Sequence, residues 1–233
     1  MEVCCGNIAS VRAAIEGGAD RVELCRDLEL DGLTPSREMI GEAVGLCHPA
    51  GLLVHVLIRS REGDFVYDDT EVKKMADEIG MAIAEGADGV VVGALTPGGD
   101  IDTAACRKWI DAVWQAVGDQ RRNVTFHRAF DVCDDPLEAI GQIARLGCNR
   151  ILTSGQQATA EQGIPLLRQL VEKAREISAK SGHELGILCG AGVNTHNAST
   201  ILKATGATEI HGSLRTGLVS DAEKIRLVKE AIS

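Results

Sequence analysis

The chain has 233 residues, of which 24 are Lys or Arg and 34 are Asp or Glu, for a formal charge of −10 at neutral pH. So acidic a chain lacks the clustered cations that grip a phosphate backbone, and no apolar run reaches the ~18 to 20 residues of a membrane span, so neither nucleic acid nor membrane is expected as a partner. Hydrophobic residues make up 45% and aromatic residues 3%, so the core must be built from Val, Ile, Leu and Ala.

Short β-rich runs alternate with helical stretches along the whole chain, the pattern of a parallel sheet with helical crossovers. The first strand covers residues 2–5 and the second 21–25, and each carries Glu-x-Cys: Glu2 with Cys4, Glu23 with Cys25. Alternation puts the Glu and Cys of a pair on one face, and strands ~4.8 Å apart would bring two carboxylates and two thiols together. Residues 27–33 follow without regular structure, and Thr34-Pro35 is read as a helix start. The third strand, 53–59, aligns His55, Leu57 and Arg59 on one face, with Arg61 just beyond in an irregular loop, 60–69, read as a candidate cover. After a fourth strand at 89–93, Trp109, Ala112, Val113 and Ala116 mark an amphipathic helix. The fifth strand, 124–129, carries Thr125, His127 and Arg128 and leads to Asp131.

Asp135-Pro136-Leu137-Glu138 has the form of a capping box with Pro at the first helical position. The sixth strand, 150–154, ends on Ser154, and Thr159-Ala160-Glu161-Gln162 is read as the start of a helix with the stripe Leu167, Leu170, Val171 and Ala174. The seventh strand, 185–190, runs into Gly190-Ala191-Gly192. The eighth, 209–213, carries His211, Gly212 and Ser213 and is followed by Arg215, and Ser220-Asp221-Ala222-Glu223 begins the last helix.

A repeat runs through this order. Gly18, Gly86, Gly147 and Gly206 each open a similar passage from helix to strand, at spacings of 68, 61 and 59 residues. Each glycine suits the left-handed position that ends a helix. Eight strands in four such double units predict a (βα)₈ TIM barrel, with residues 1–233 as one domain. The eight cysteines form no CxxC pair and no Cys/His cluster of zinc-finger spacing, so reduced thiols and a cytoplasmic location are expected.

In such a barrel a site lies where the strands end. Arg59, Arg61, Arg128 and Arg215 could hold an anion with Ser154 and the backbone of Gly190, Gly192 and Gly212, and Glu2, Glu23, His55, His127, Asp131 or His211 could move a proton. No nucleotide cofactor is indicated, and no lysine stands at a strand end to form a Schiff base.

Met1-Glu2-Val3-Cys4, Arg21-Val22-Glu23-Leu24-Cys25, Gly32-Leu33-Thr34-Pro35-Ser36, Arg61-Glu62-Gly63-Asp64-Phe65, Thr125-Phe126-His127-Arg128-Ala129-Phe130-Asp131 and Arg150-Ile151-Leu152-Thr153-Ser154-Gly155 together resemble the signatures of the CutC family of copper homeostasis proteins, from residue 1 to about residue 215. The resemblance implies a (βα)₈ barrel, a homodimer, a cytoplasmic location and a copper role with Cys4 and Cys25 as Cu(I) ligands. Two positions depart from the pattern: Ser60 stands between Arg59 and Arg61 where Pro is expected, and Ala191 stands where a further Gly is usual.

Three readings stay open. Cu(I) is soft and two sulfurs suffice to hold it, so Cys4 and Cys25 make a copper ion the first candidate partner. That reading leaves Glu2, Glu23, Arg59, His127, Arg128 and Asp131 unexplained, and these favour an enzyme acting on a small anionic metabolite, phosphorylated ones included. In the third, the polar mouth merely stabilises a barrel.

Overall fold

The structure, a computed structural model, describes residues 1–117 and 123–233. Strands β1 (Glu2–Cys5), β2 (Arg21–Leu24), β3 (Leu53–Leu57), β4 (Gly89–Val92), β5 (Asn123–Phe126), β6 (Arg150–Thr153), β7 (Gly186–Cys189) and β8 (Glu209–Gly212) pair in chain order into a closed parallel barrel. Closure sets Glu2 beside His211 and Val3 beside Gly212. Helices α1 (Ile8–Glu16), α2 (Arg37–Cys47), α3 (Asp69–Ala84), α4 (Thr103–Val117), α5 (Pro136–Leu146), α6 (Ile164–Ser181), α7 (Ala198–Thr205) and α8 (Ala222–Ile232) alternate with the strands, which is the expected (βα)₈ architecture. Among the described residues no helix is long and apolar enough to cross a membrane.

All eight expected strands are present, and most stop one to three residues short of their expected ends. The residues beyond hang on the neighbouring strand by a last bond, as in Cys25 N–H to Cys5 O (3.0 Å), His127 N–H to Val92 O (2.9 Å) and Gly190 N–H to Thr153 O (3.0 Å). That bond fixes their direction at the mouth. Alternate side chains divide between two environments. Val3, Cys5, Val22, Leu24, Val54, Val56, Val90, Val92, Val124 and Phe126 pack against the helices in the main core. Cys4, Cys25, Leu57 and Val91 form a small separate cluster within the barrel. The four repeat glycines have φ of +77°, +96°, +96° and +74°, as the expected helix-ending role requires.

Helix starts differ from expectation where a side chain has a tertiary partner. Asp135 caps α5 as predicted, accepting from Leu137 and Glu138 N–H at 3.0 Å each. Ser36, not Thr34, caps α2, because the Thr34 hydroxyl accepts from Arg59 N–H and donates to Glu78. Asp221, not Ser220, caps α8. Ser220 belongs to an unforeseen hairpin of β9 (Arg215–Thr216) and β10 (Val219–Ser220). The helix expected after Thr159 begins only at Ile164. Gly163 there packs on the strand end so closely that an added Cβ would lie 1.8 Å from Ser154 O.

Candidate functional site at the barrel mouth

Below the mouth lies a charged layer. Glu2, fully buried, accepts from Arg21 Nε at 2.5 Å and from His211 Nδ1 at 2.8 Å, and His55 Nδ1 stands 3.7 Å away. Arg21 also donates to Glu209 at 2.6 Å, and Glu209 in turn accepts from Arg150. Burial alone would raise the Glu2 pKa, but the charge of Arg21 and the bond from His211 outweigh it and hold the carboxyl well below its ordinary range. For His211 burial works downward, and Glu23 and Glu2 together carry its pKa above the usual value. Burial pushes His55 down to about 3, so its ring is neutral, and neither ring nitrogen has a hydrogen-bond partner. Glu2 and His55, candidates for proton transfer, thus lie beneath the cavity and do not line it. Glu2 takes one ring nitrogen of His211 and so fixes the orientation of a ring that lines the cavity.

Above this layer a cavity of about 480 Å³ opens at the strand ends, and Cys4, Glu23 and His211 line its floor. One ligand atom from each lies within 4.8 Å of the other two. The Cys4 thiol donates to Glu23 Oε1 at 3.5 Å and lies 3.9 Å from Cys25 Sγ. Glu23 Oε2 has no partner, and burial raises the Glu23 pKa. Contact with Cys25, then burial, holds the Cys4 thiol well above its ordinary range. Cys25 is fully buried behind Cys4 and does not reach the cavity. Gly32 closes over it, where a Cβ would meet Leu57 at 2.8 Å and Cys25 Sγ at 3.4 Å. All eight cysteines are free and buried.

His127 lines the cavity with a neutral ring, its pKa pushed to about 3 by burial and then by the charge of Arg59. Its Nδ1 accepts from Ala129 N–H at 3.1 Å, which leaves the proton on Nε2, an atom with no partner in the protein. Arg59 is 3% exposed and spans two loops, donating to Leu30 O, Gly32 O and Gly63 O. Among the described residues no carboxylate pairs with it, so its charge reaches the cavity uncompensated although its donors are largely occupied. Arg61 lies outside the cavity, its guanidinium occupied by Glu71, Asp64 and the Val66 carbonyl. These two arginines pin the 60–69 loop and set Phe65 against His127, ring centres 5.0 Å apart.

Arg128 lines the cavity and donates to Asp131 Oδ2 at 2.7 Å. Asp131 also accepts from Ser154 N–H, Gln156 N–H and the Thr153 hydroxyl, so it anchors the turn after β6 rather than standing free as a base. Ser154 spends its hydroxyl on Gln157 O, and Gly190 packs on Leu152, so neither lines the cavity. Gly192, Gly212 and Arg215 do line it. Leu28, Asp31, Phe65 and Val132 also line it and were absent from the expected set. For Phe65 the sequence held a signal, one of two aromatics, with Tyr67, in a polar loop directly after a strand.

The family model described as the CutC family matches residues 1–216. A CutC family protein of Pasteurella multocida is 45% identical over 211 residues, covering 91% of this chain and 80% of its own length. One of Bacteroides thetaiotaomicron is 48% identical over 221 residues, covering 95% and 83%. Among solved structures, a CutC protein of Streptococcus agalactiae that carries copper homeostasis in its name superposes with a TM-score of 0.82 at 34% identity, covering 91% of this chain and 97% of that one.

Proposed function

The chain belongs to the CutC family, and from that premise we propose that it binds Cu(I) as cargo on the floor of the barrel cavity, in the service of copper homeostasis. The observation that carries the reading is the meeting of Cys4, Glu23 and His211 within 4.8 Å, with the second sulfur of Cys25 directly behind at 3.9 Å. Thiolate sulfur selects Cu(I) over harder ions. Metal–thiolate bonds of about 2.3 Å to two sulfurs 3.9 Å apart enclose an angle of about 115°. The ion therefore sits off the line between the sulfurs; Glu23 and His211 gather on Cys4 and not on Cys25, so the sulfur pair is the ligand set this distance supports. Eight free, buried thiols suit a reducing compartment, which supports a cytoplasmic location.

Anaerobic competition against a chromogenic Cu(I) chelator tests this. The Cys4→Ser, Cys25→Ser double variant is expected to lose affinity by about 100-fold or more, while Cys189→Ser, on the helix-facing side of β7, retains it. Wild-type affinity in the double variant refutes the reading.

A further inference from the structure

Several groups around the cavity are not used by a soft cation. The turns after β7 and β8 both line it, through Ala191, Gly192 and Val193 on one side and Gly212, Ser213 and Arg215 on the other. Ala191 and Gly192 have φ of +82° and +69°, and Leu214 has +45°, so both turns pass through the left-handed region. Successive N–H groups in such turns form concave sites for anions. Among the described residues the N–H groups of Gly192, Val193, Ser213 and Leu214 reach no acceptor in the protein, and N–H pairing resumes at Asn194, which donates to Asn197 Oδ1. Arg215 has no carboxylate partner among the described residues, and the Arg128 guanidinium lies at the same cavity. A third, independent feature is His127, a cavity-lining ring 5% exposed, whose Nε2–H is buried without a partner in the protein, beside the charge of Arg59.

We propose that the mouth binds a small phosphomonoester, with its phosphate on the backbone N–H groups of Gly192, Val193, Ser213 and Leu214, its charge met by Arg215 and Arg128, and the His127 ring N–H as donor to the rest of the molecule. The turns after the seventh and eighth strands are where barrels of this architecture most often build a phosphate site. Donors drawn from two separate turns and two guanidinium groups suit a tetrahedral head better than a planar carboxylate. A cavity of about 480 Å³ admits a phosphorylated metabolite of few carbons. Of the three arginines that line the cavity, Arg128 is shared with Asp131, while Arg59 and Arg215 have no carboxylate partner among the described residues and supply the local attraction for an anion. The site does not depend on the copper reading, since none of its donors is a proposed copper ligand.

Calorimetry on the reduced, metal-free full chain tests it, with glycerol 3-phosphate, inorganic phosphate, glycerol and glycerate as probes. Both phosphates are expected to bind, and glycerol and glycerate to bind far more weakly. Arg215→Ala should weaken glycerol 3-phosphate by about tenfold or more, whereas Arg226→Ala, the same charge loss on the outer face of α8, leaves it unchanged. The proposal is overturned if neither phosphate binds at about 10 mM, if glycerate binds as well as glycerol 3-phosphate, or if Arg215→Ala and Arg226→Ala act alike. Because metal is absent throughout, loss of the copper reading leaves this result intact, and the reverse also holds.

Discussion

The Glu2→Gln substitution tests the charged layer beneath the site. Glu2 is fully buried, with Arg21 Nε at 2.5 Å on one oxygen and His211 Nδ1 at 2.8 Å on the other. A carboxamide can accept from only one of these donors, and its own NH₂ must then face the other. The change removes a charge-assisted bond of about 1.5–3 kcal/mol and leaves a buried donor unsatisfied at about 1–3 kcal/mol. Together these give about 2.5–6 kcal/mol, which brackets the ~3–5 kcal/mol for breaking a buried ion pair from one side. Arg21 keeps Glu209 at 2.6 Å, so the variant should fold, with a large part of a typical 5–15 kcal/mol lost. Urea unfolding at neutral pH followed by circular dichroism measures it, and at a slope of about 3 kcal/mol/M the midpoint should fall by about 1–2 M. Arg21→Met and the double variant complete a cycle in which the double costs less than the sum of the singles. A loss below about 1 kcal/mol, or strict additivity, would refute the view that Glu2 is an ionised partner of Arg21.

Two further outcomes are expected. Ala191 holds φ at +82°, a conformation glycine adopts freely, so Ala191→Gly should leave the melting temperature unchanged or raise it, by up to about 1 kcal/mol in stability; a clear fall would show that the turn gains more from the methyl group than the backbone loses. His127 has a pKa lowered to about 3, so its stabilising share is present above the ordinary value near 6.5 and is lost as pH falls below it. Between pH 7.5 and 5.5 that loss is about 1.4 kcal/mol, and His127→Asn should flatten the acid side of the stability curve by that amount; an unchanged slope in paired urea titrations would argue against a neutral buried ring.

The barrel was legible because its signals are local. Two-residue alternation and a left-handed glycine before every second strand depend only on near neighbours. The displaced helix starts mark where that stops: Thr34 has every local quality of a cap, but its hydroxyl is claimed by Arg59 N–H and Glu78 from distant elements. At the site, alternation told which face a side chain takes and not its height along the lumen. Glu2 and Cys4 share a face, yet register sets Glu2 level with Arg21 and Cys4 level with Glu23, so only Cys4 reaches the cavity. Arg59 and Arg61 were visible as cations at a strand end, but their partners are carbonyls and carboxylates of loops whose paths no spacing rule records.

The candidate copper site spans the seam where the barrel closes. Cys4 comes from the first strand and His211 from the last, and the bond from His211 to Glu2 joins residues 209 apart in the chain. Every other strand neighbour is also a neighbour in sequence, so closing β8 onto β1 is the longest-range step in forming the sheet. The Glu2 carboxylate therefore serves both closure and the candidate site, holding Arg21 in the layer beneath the cavity while orienting the His211 ring at its floor. A substitution at Glu2 must disturb stability and ligand binding together and cannot separate them. Cys4 does separate them: its side chain faces the cavity and carries none of the charged layer, so Cys4→Ser reports on the sulfur alone. The turns after β7 and β8 lie at the same seam, which places the proposed cation and anion positions on the part of the barrel that is completed last in the chain.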